Sequence, residues 1–133
     1  AVLFYRKALE ADPARTHHET PVVLANRAHA SQRLATASGI WAARAHYEGC
    51  VDDCTAALEL RPGYAKARFR RARANLALAC RPLGEPGSER QEELLAAVRS
   101  DLLAVLDADP ECAEAAEWKE AAPRLVSGFG GKR

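Results

Sequence analysis

One pattern occurs three times in this chain of 133 residues. It consists of three residues and a proline, separated by intervals of four, three and five residues. The sets are Ala1, Tyr5, Ala8 and Pro13; Cys50, Cys54, Ala57 and Pro62; and Val98, Leu102, Val105 and Pro110. Residues four and three apart lie on one face of a helix, and a proline cannot continue the helix without removing a hydrogen bond. Each set therefore predicts a helix with one small or medium apolar stripe and a defined end.

After each proline the sequence predicts another helix. The starts are expected at about Thr20, Tyr64 and Glu111. Thr20 followed by Pro21 is a good start signal, because threonine is a favoured N-cap and proline suits the first helical position. The chain thus alternates helix, proline stop and helix, and such self-similarity indicates a stack of repeated structural units.

This pattern resembles the tetratricopeptide repeat family, whose second helix carries small, aromatic and small residues at these spacings before a terminal proline. Ala28 and Ala72 fit the small-residue position of the family's first helix. Arg68 departs from the family pattern, since a bulky apolar residue is usual there. The resemblance implies an all-α fold, a right-handed superhelical solenoid of antiparallel helix hairpins with about two and a half repeats.

The repeat is longer than the family's. The prolines are 49 and 48 residues apart, whereas the family period is about 34. A period near 48 also matches HEAT or armadillo helices on length alone. The proline stop and the cationic residues described below favour the tetratricopeptide interpretation.

We place most of the extra length in the hairpins, which are expected to be lengthened. Gly39 interrupts the first hairpin and the segment 81–87 interrupts the second, after which Ser88 and Gln91 form a capping box. Helix starts are therefore predicted near Ile40 and Glu89. Trp41 and Tyr47 are expected to pack in the first extension.

One repeat domain is expected over residues 1–126, followed by a flexible tail over 127–133. The first repeat lacks its opening helix, since Ala1 corresponds to the start of a second helix. A helix over about 111–126, which contains Trp118, is expected to cap the solenoid, because each repeat needs a neighbour to cover its apolar face.

Positive charge is concentrated on one predicted helix, although the net charge is only +1. The stretch from Arg61 to Arg81 has seven Lys or Arg and no acid, whereas Glu85 to Glu120 has eleven acids and three bases. Such asymmetry indicates an anionic partner. The low net charge argues against a general nucleic-acid binder.

Five residues on the first helices of successive repeats are candidates for contact with that partner: Asn26, Lys66, Phe69, Arg70 and Arg73. Lys66 and Arg70 are four apart and share a face, and Phe69 and Arg73 flank them. Asn26 holds the same place in its helix as Arg70 in the next, so stacking is expected to bring its amide alongside both cations. An amide, an ammonium and a planar guanidinium together suit a pair of carboxylates.

The segments 26–28 and 66–72 resemble the Asn-Arg-Ala and Lys-Ala-x-x-Arg-Arg-Ala signatures of the dicarboxylate-clamp subclass of this family. In that subclass the groove binds the C-terminal Glu-Glu-Val-Asp of cytosolic heat-shock chaperones. The resemblance implies a cytoplasmic co-chaperone or adaptor module. It matches three clamp members, Asn26, Lys66 and Arg70, and the other two would belong to the opening helix ahead of Ala1.

Two other functions remain open. The chain could be a structural scaffold in a larger assembly, with the cations incidental. RNA contact through the basic stretch is less well supported, since only Tyr64 and Phe69 are placed to stack on bases. His29, three residues after Asn26, is a weaker candidate for ligand contact.

Nothing in the sequence favours an enzyme, a cofactor or a metal. There is no Gly-rich phosphate loop and no Cys-His arrangement with an orienting partner. Adjacent acids such as Asp52 and Asp53 point to different helix faces. The four cysteines, Cys50, Cys54, Cys80 and Cys112, form no CxxC pair and are interpreted as small buried residues of a reducing compartment.

Overall fold

A computed structural model of the protein describes residues 2–80 and 82–109, together with Glu111 and Glu117. These residues form five α-helices and no strand, so the predicted all-α class is confirmed. The helices are α1 Val2–Glu10, α2 Thr20–Thr36, α3 Ile40–Leu60, α4 Ala65–Ala79 and α5 Glu89–Ala108. Within this described part of the chain, none of the helices combines the length and apolar character that a membrane crossing needs.

The helices pack in the order in which they occur in the chain. Each contacts the next, from α1 to α5, and α2 also contacts α4. The helices α2 and α3 form a first hairpin across the short link 37–39, and α4 and α5 form a second hairpin across the longer link 80–88. The contact between α2 and α4 therefore places the first helices of the two hairpins side by side.

The helix boundaries agree with local signals in the sequence. The helices α3 and α5 begin at Ile40 and Glu89, as predicted. At the start of α5, Ser88 Oγ accepts a hydrogen bond from the backbone N–H of Gln91 at 3.0 Å, and Gln91 Oε1 accepts one from Gly87 at 2.7 Å. Ser88 thus caps the helix as predicted, whereas the return bond of Gln91 goes to Gly87, one residue before the N–H group that a capping box uses.

The start of α2 corrects one prediction. Thr20 is the first residue of the helix rather than its N-cap, which is Glu19 and provides no side-chain cap. The hydroxyl of Thr20 instead donates to the carboxylate of Asp12, which also accepts the backbone N–H groups of Thr16 and His17. These hydrogen bonds, with that of Thr20 the largest cause, lower the pKa of Asp12. One carboxylate therefore organises the link between α1 and α2.

Small residues occupy the positions where the helices approach one another. The predicted stripes on α3 and α5 are buried: Cys50, Cys54, Ala57, Val98, Leu102 and Val105. The α3 stripe packs against Leu24, Ala25 and Ala28 of α2. Cys50, Cys54 and Cys80 are buried free thiols, as predicted. Short side chains at these positions allow the helix axes to come close.

The two aromatic residues predicted to pack in the first hairpin differ in environment. Tyr47 packs against two apolar clusters, but Trp41 is 81% exposed. Trp41 is the second residue of α3, ahead of Ala43, the first buried residue of that helix. The prediction for Trp41 is wrong because helical periodicity identifies a face but not the point at which the opposing helix ends.

Each hairpin contains an arginine–aspartate ion pair between its two helices. In the first hairpin, Arg27 Nε and Nη2 both donate to Asp53 at 2.7 Å. In the second, Arg71 Nε and Nη2 donate to Asp101 at 2.8 and 2.7 Å. The hydrogen bond to its aspartate raises the pKa of each arginine. We call these contacts the interhelical ion pairs.

Arg68 takes part in the second pair, which explains a charge where the repeat pattern expects a bulky apolar residue. Its Nη1 lies 3.5 Å from Asp101 Oδ1, and its Nη2 donates to the carbonyl of Pro62 at 3.1 Å. The guanidinium therefore joins α5 to the turn before α4.

Several predictions concern residues that the structure does not describe. They are the helix over about 111–126, apart from Glu111 and Glu117, the tail over 127–133, and the placement of Ala1, Pro110, Cys112 and Trp118. These stay predictions.

Candidate functional site

The candidate site lies where α2 and α4 meet, on what we call the α2/α4 face. Arg70 of α4 joins the two helices, because its Nη1 donates a hydrogen bond to the backbone carbonyl of Ala25 in α2 at 2.8 Å. Ala25 immediately precedes Asn26. Arg70 therefore reaches the turn of α2 that carries Asn26, which brings an amide and a guanidinium into one neighbourhood.

Two open cavities lie along α2 and share two of its residues. The larger has a volume of about 660 Å³, and its lining includes Leu3 and Tyr5 of α1 with Asn26, His29 and Arg33 of α2. The smaller has a volume of about 350 Å³, and its lining includes His29, Arg33, Tyr47 and Arg73. His29 and Arg33 line both, so the cavities are adjacent, and we call the two together the α2 groove.

The α2 groove is electropositive. Partial burial lowers the pKa of His29, and the charges of Arg70, Arg33 and Arg73 lower it further. Burial is the larger cause, and the contribution of the three arginines places positive charge around the imidazole. As far as the structure describes their lining, the two cavities contain no Asp or Glu. An anionic group entering the groove meets cations on both α2 and α4.

The five residues predicted from the sequence occupy different environments. Asn26 and Arg73 line the groove, and Arg70 borders it through its bond to α2. Lys66 lies one turn before Arg70 and is exposed, and among the described residues it belongs to none of the ion pairs. Phe69 is half-buried and packs against the apolar cluster of α4 and α5, and its contact with a ligand stays a prediction.

The sequence prediction omits Arg33, although a signal for it existed. Arg33 follows Asn26 by seven residues, which is about two helical turns, and residues at that spacing share a face. It lies beyond the segment 26–28 that carries the family signature, which is why the motif did not include it. His29, a weaker candidate in the sequence, lies at the junction of the two cavities.

Two arginines of the signature segments hold the hairpins together. Arg27 and Arg71 form the interhelical ion pairs with Asp53 and Asp101, both of which are buried. A buried carboxylate is stable only when it is paired, so these arginines are committed to the fold rather than to a ligand.

The arrangement is suited to binding anions. A guanidinium has five N–H donors, so Arg70 can bond to Ala25 and still offer N–H groups to a carboxylate.

Within the described residues, no group of His, Cys, Asp and Glu is arranged to hold a metal ion. Comparisons of the chain with protein-family models, with curated proteins and with solved structures find no match, so the chemistry of the α2 groove carries the functional argument.

Proposed function

We propose that this chain is a tetratricopeptide-type interaction module that binds acidic C-terminal peptides of the Glu-Glu-Val-Asp type, as a co-chaperone or adaptor for heat-shock chaperones. The observation that carries the proposal is the hydrogen bond from Arg70 to the carbonyl of Ala25. It holds a guanidinium beside Asn26, and Lys66 lies one turn away on the same helix. An ammonium, a guanidinium and an amide in one neighbourhood are the donors that a pair of carboxylates requires.

The helix arrangement supports the repeat interpretation. Consecutive helices pack in order, and α2 contacts α4, as neighbouring first helices do in stacked hairpins. The interhelical ion pairs occur once in each hairpin, so the two hairpins use the same internal contact. A solenoid with lengthened hairpins is the architecture that we propose from these features.

The proposed ligand is recognised by its terminal carboxylate and its acidic side chain. Each charge-assisted hydrogen bond contributes about 1.5–3 kcal/mol net. A short peptide held by a few such bonds is expected to bind in the micromolar range, about −8 kcal/mol. Buried free thiols at Cys50, Cys54 and Cys80 fit a reducing compartment, and we place the interaction in the cytosol on that ground.

Fluorescence anisotropy with a labelled peptide that ends in Glu-Glu-Val-Asp tests the proposal. We expect Lys66→Ala and Arg70→Ala each to weaken binding at least about tenfold, because each removes a charged donor to a carboxylate. A peptide with an amidated C-terminus is expected to lose affinity to a similar degree.

Arg99→Ala is the matched control, since Arg99 is an exposed arginine of α5, away from the α2 groove. Circular dichroism establishes whether each variant is folded. Lys66→Ala is the more informative variant, because Arg70→Ala also removes the bond to Ala25. Unchanged affinity in a folded double variant would refute carboxylate recognition at this face.

A structural scaffold is the second candidate, and one observation favours it. Leu34, Ile40 and Trp41 are exposed around the link between α2 and α3. An exposed tryptophan among aliphatic residues is a common feature of protein interfaces. If a partner binds through this tip, Trp41→Ala abolishes the interaction, and amidation of an acidic peptide has no effect on it.

A further inference from the structure

We propose that the α2 groove contains a second anion subsite, formed by Arg33, Arg73 and His29, that binds an anionic side chain of the peptide upstream of its C-terminus. This inference rests on the proposed function, because it names the chemistry of a longer ligand in the same groove. It extends the site beyond Asn26, Lys66 and Arg70 to residues that the signature segments do not include.

The smaller cavity provides the geometry. His29 and Arg33 from α2 and Arg73 from α4 line one space of about 350 Å³. Gln32 and Tyr47 are also part of its lining and carry an amide and a phenolic hydroxyl, whereas the hydroxyl of Thr36 donates to the carbonyl of Arg33. Arginine forks and neutral donors that surround one cavity are suited to a carboxylate or to a phosphate monoester.

The electrostatics point in the same direction. The positive charges of Arg70, Arg33 and Arg73, together with burial, lower the pKa of His29. Arg33 and Arg73 line the same cavity as His29, so an anion that enters it lies close to all three groups. An arriving anion also favours the protonated form of His29, so the imidazole can become a further charged donor.

The spacing along the helices gives the distance between the two subsites. Arg33 follows Asn26 by seven residues, or about 10 Å of helix, and Arg73 follows Arg70 by three, or about 4.5 Å. An extended peptide advances about 3.3 Å per residue. The second anion should therefore lie about one to three residues from the group that Asn26 and Arg70 hold, as the glutamates of Glu-Glu-Val-Asp do.

Peptides that differ only at the two residues before Val-Asp test this inference. The three peptides carry glutamine, glutamate or phosphoserine at both positions. We expect glutamate to bind about tenfold more tightly than glutamine, and phosphoserine at least as tightly as glutamate, because its dianion pairs with two guanidiniums. A preference for phosphoserine over glutamate identifies a phosphorylated ligand, and equal affinity identifies an acidic one.

The double variant Arg33→Gln, Arg73→Gln should bind all three peptides with the affinity of the glutamine peptide. Arg99→Gln serves as control, because it removes an exposed arginine outside the groove and should leave the differences intact. Equal affinity of the three peptides for the unaltered protein would overturn the subsite. If binding still required a free C-terminal carboxylate in that case, the proposed function would stand.

NMR titration of the histidines tests the subsite without any terminal carboxylate. With N-acetyl-phosphoserine amide as the probe, the pKa of His29 should rise, while His17, His18 and His46 serve as internal references. An unchanged pKa of His29 at a saturating probe concentration would overturn the subsite. A rise in the pKa of His29, combined with no binding of any peptide, would support the subsite and refute carboxylate-terminal recognition.

Discussion

Arg27 and Arg71 occupy equivalent positions in α2 and α4, but their ion pairs differ in how far they are enclosed. The side chain of Asp101 is 3% exposed, whereas that of Asp53 is 11% exposed. Asp101 also lies within 3.5 Å of Arg68, so it balances two guanidiniums. Removing the charge of Asp101 therefore leaves more unpaired positive charge in a less hydrated place.

We expect Asp101→Asn to lower the free energy of unfolding by about 3 kcal/mol, and Asp53→Asn to lower it by about half as much. Asparagine keeps the shape of the side chain and removes its charge, so the loss reports the ion pair rather than a cavity. Urea denaturation followed by circular dichroism measures both values.

Asp107→Asn is the control, because Asp107 is an exposed carboxylate on the same helix as Asp101. It is expected to change stability by less than about 0.5 kcal/mol. Equal losses for the Asp53 and Asp101 variants would show that enclosure and the second arginine contribute nothing.

Residue types were easier to predict than residue partners. The sequence identified Asn26 and Arg70 from a family signature, and the structure places them in one neighbourhood. Phe69 was expected beside the ligand, and its half-buried ring packs against the apolar cluster of α4 and α5. An α-helix has about 3.6 residues per turn, so periodicity locates a side chain on a face only coarsely. It does not decide whether a residue at the edge of that face lines a groove or packs in the interface beside it.

The described residues of the link 80–88 between α4 and α5 make several contacts with neighbouring helices. Leu83 is buried, and its carbonyl accepts a hydrogen bond from Arg44 of α3 at 2.7 Å. Gln91 Nε2 donates to the carbonyl of Ala79 at 2.8 Å. A Cβ added at Gly84 would lie 2.1 Å from the same Ala79 oxygen. The link therefore folds back against the end of α4, and only glycine fits at that approach.

We expect Gly84→Ala to lower the free energy of unfolding by about 1–3 kcal/mol, because the backbone must move to accommodate the methyl group. Thermal or urea denaturation measures the change. Gly63→Ala is the matched control, since a Cβ there meets nothing within 4 Å. It should be neutral or stabilising by up to about 1 kcal/mol. A Gly84 variant as stable as the unaltered protein would contradict the close approach.

Local signals were sufficient for the starts of α3 and α5 but not for this link. The capping box of Ser88 and Gln91 predicted the start of α5 correctly, because all its atoms lie within a few residues. The packing of the link depends on Arg44, which is 39 residues from Leu83 in sequence. Only the fold of the whole chain brings those two residues together.

At the scale of the whole molecule, three apolar clusters are connected into one core. The first contains Cys50 and Cys54, and the second contains Cys80. The third cluster lies between them, because Tyr47 packs against the first and the third, and Leu95 against the second and the third. The two hairpins should therefore unfold as one cooperative unit.

Pulse alkylation with iodoacetamide, analysed by mass spectrometry for each cysteine, tests this expectation. The hydrogen bond with Cys50, followed by burial, raises the pKa of Cys54, and burial raises the pKa of Cys80, so neither thiol should react in the folded protein. We expect both to become labelled with the same urea midpoint. The fully unfolded protein gives the reference for complete labelling, and earlier labelling of Cys80 would mean that the second hairpin opens independently.

The sequence repeat predicted much of this arrangement. The stripes at Cys50, Cys54 and Ala57 and at Val98 and Leu102 are buried as expected, because three aligned copies of one spacing restrict the possible helix faces. The exposure of Trp41 was not predictable in the same way. It depends on where α2 ends relative to α3, which is a property of the assembled hairpin.

The interhelical ion pairs also bear on how such chains change length over evolution. Arg27 and Asp53 are 26 residues apart, and Arg71 and Asp101 are 30 apart, yet both pairs form the same two-pronged contact. Each aspartate precedes its stop proline by nine residues. The four extra residues of the second hairpin are accommodated at its tip, where the link runs over 80–88 instead of 37–39, while the base keeps its register. The tips are therefore the natural places for insertions, and the bases are the parts that homologues should share.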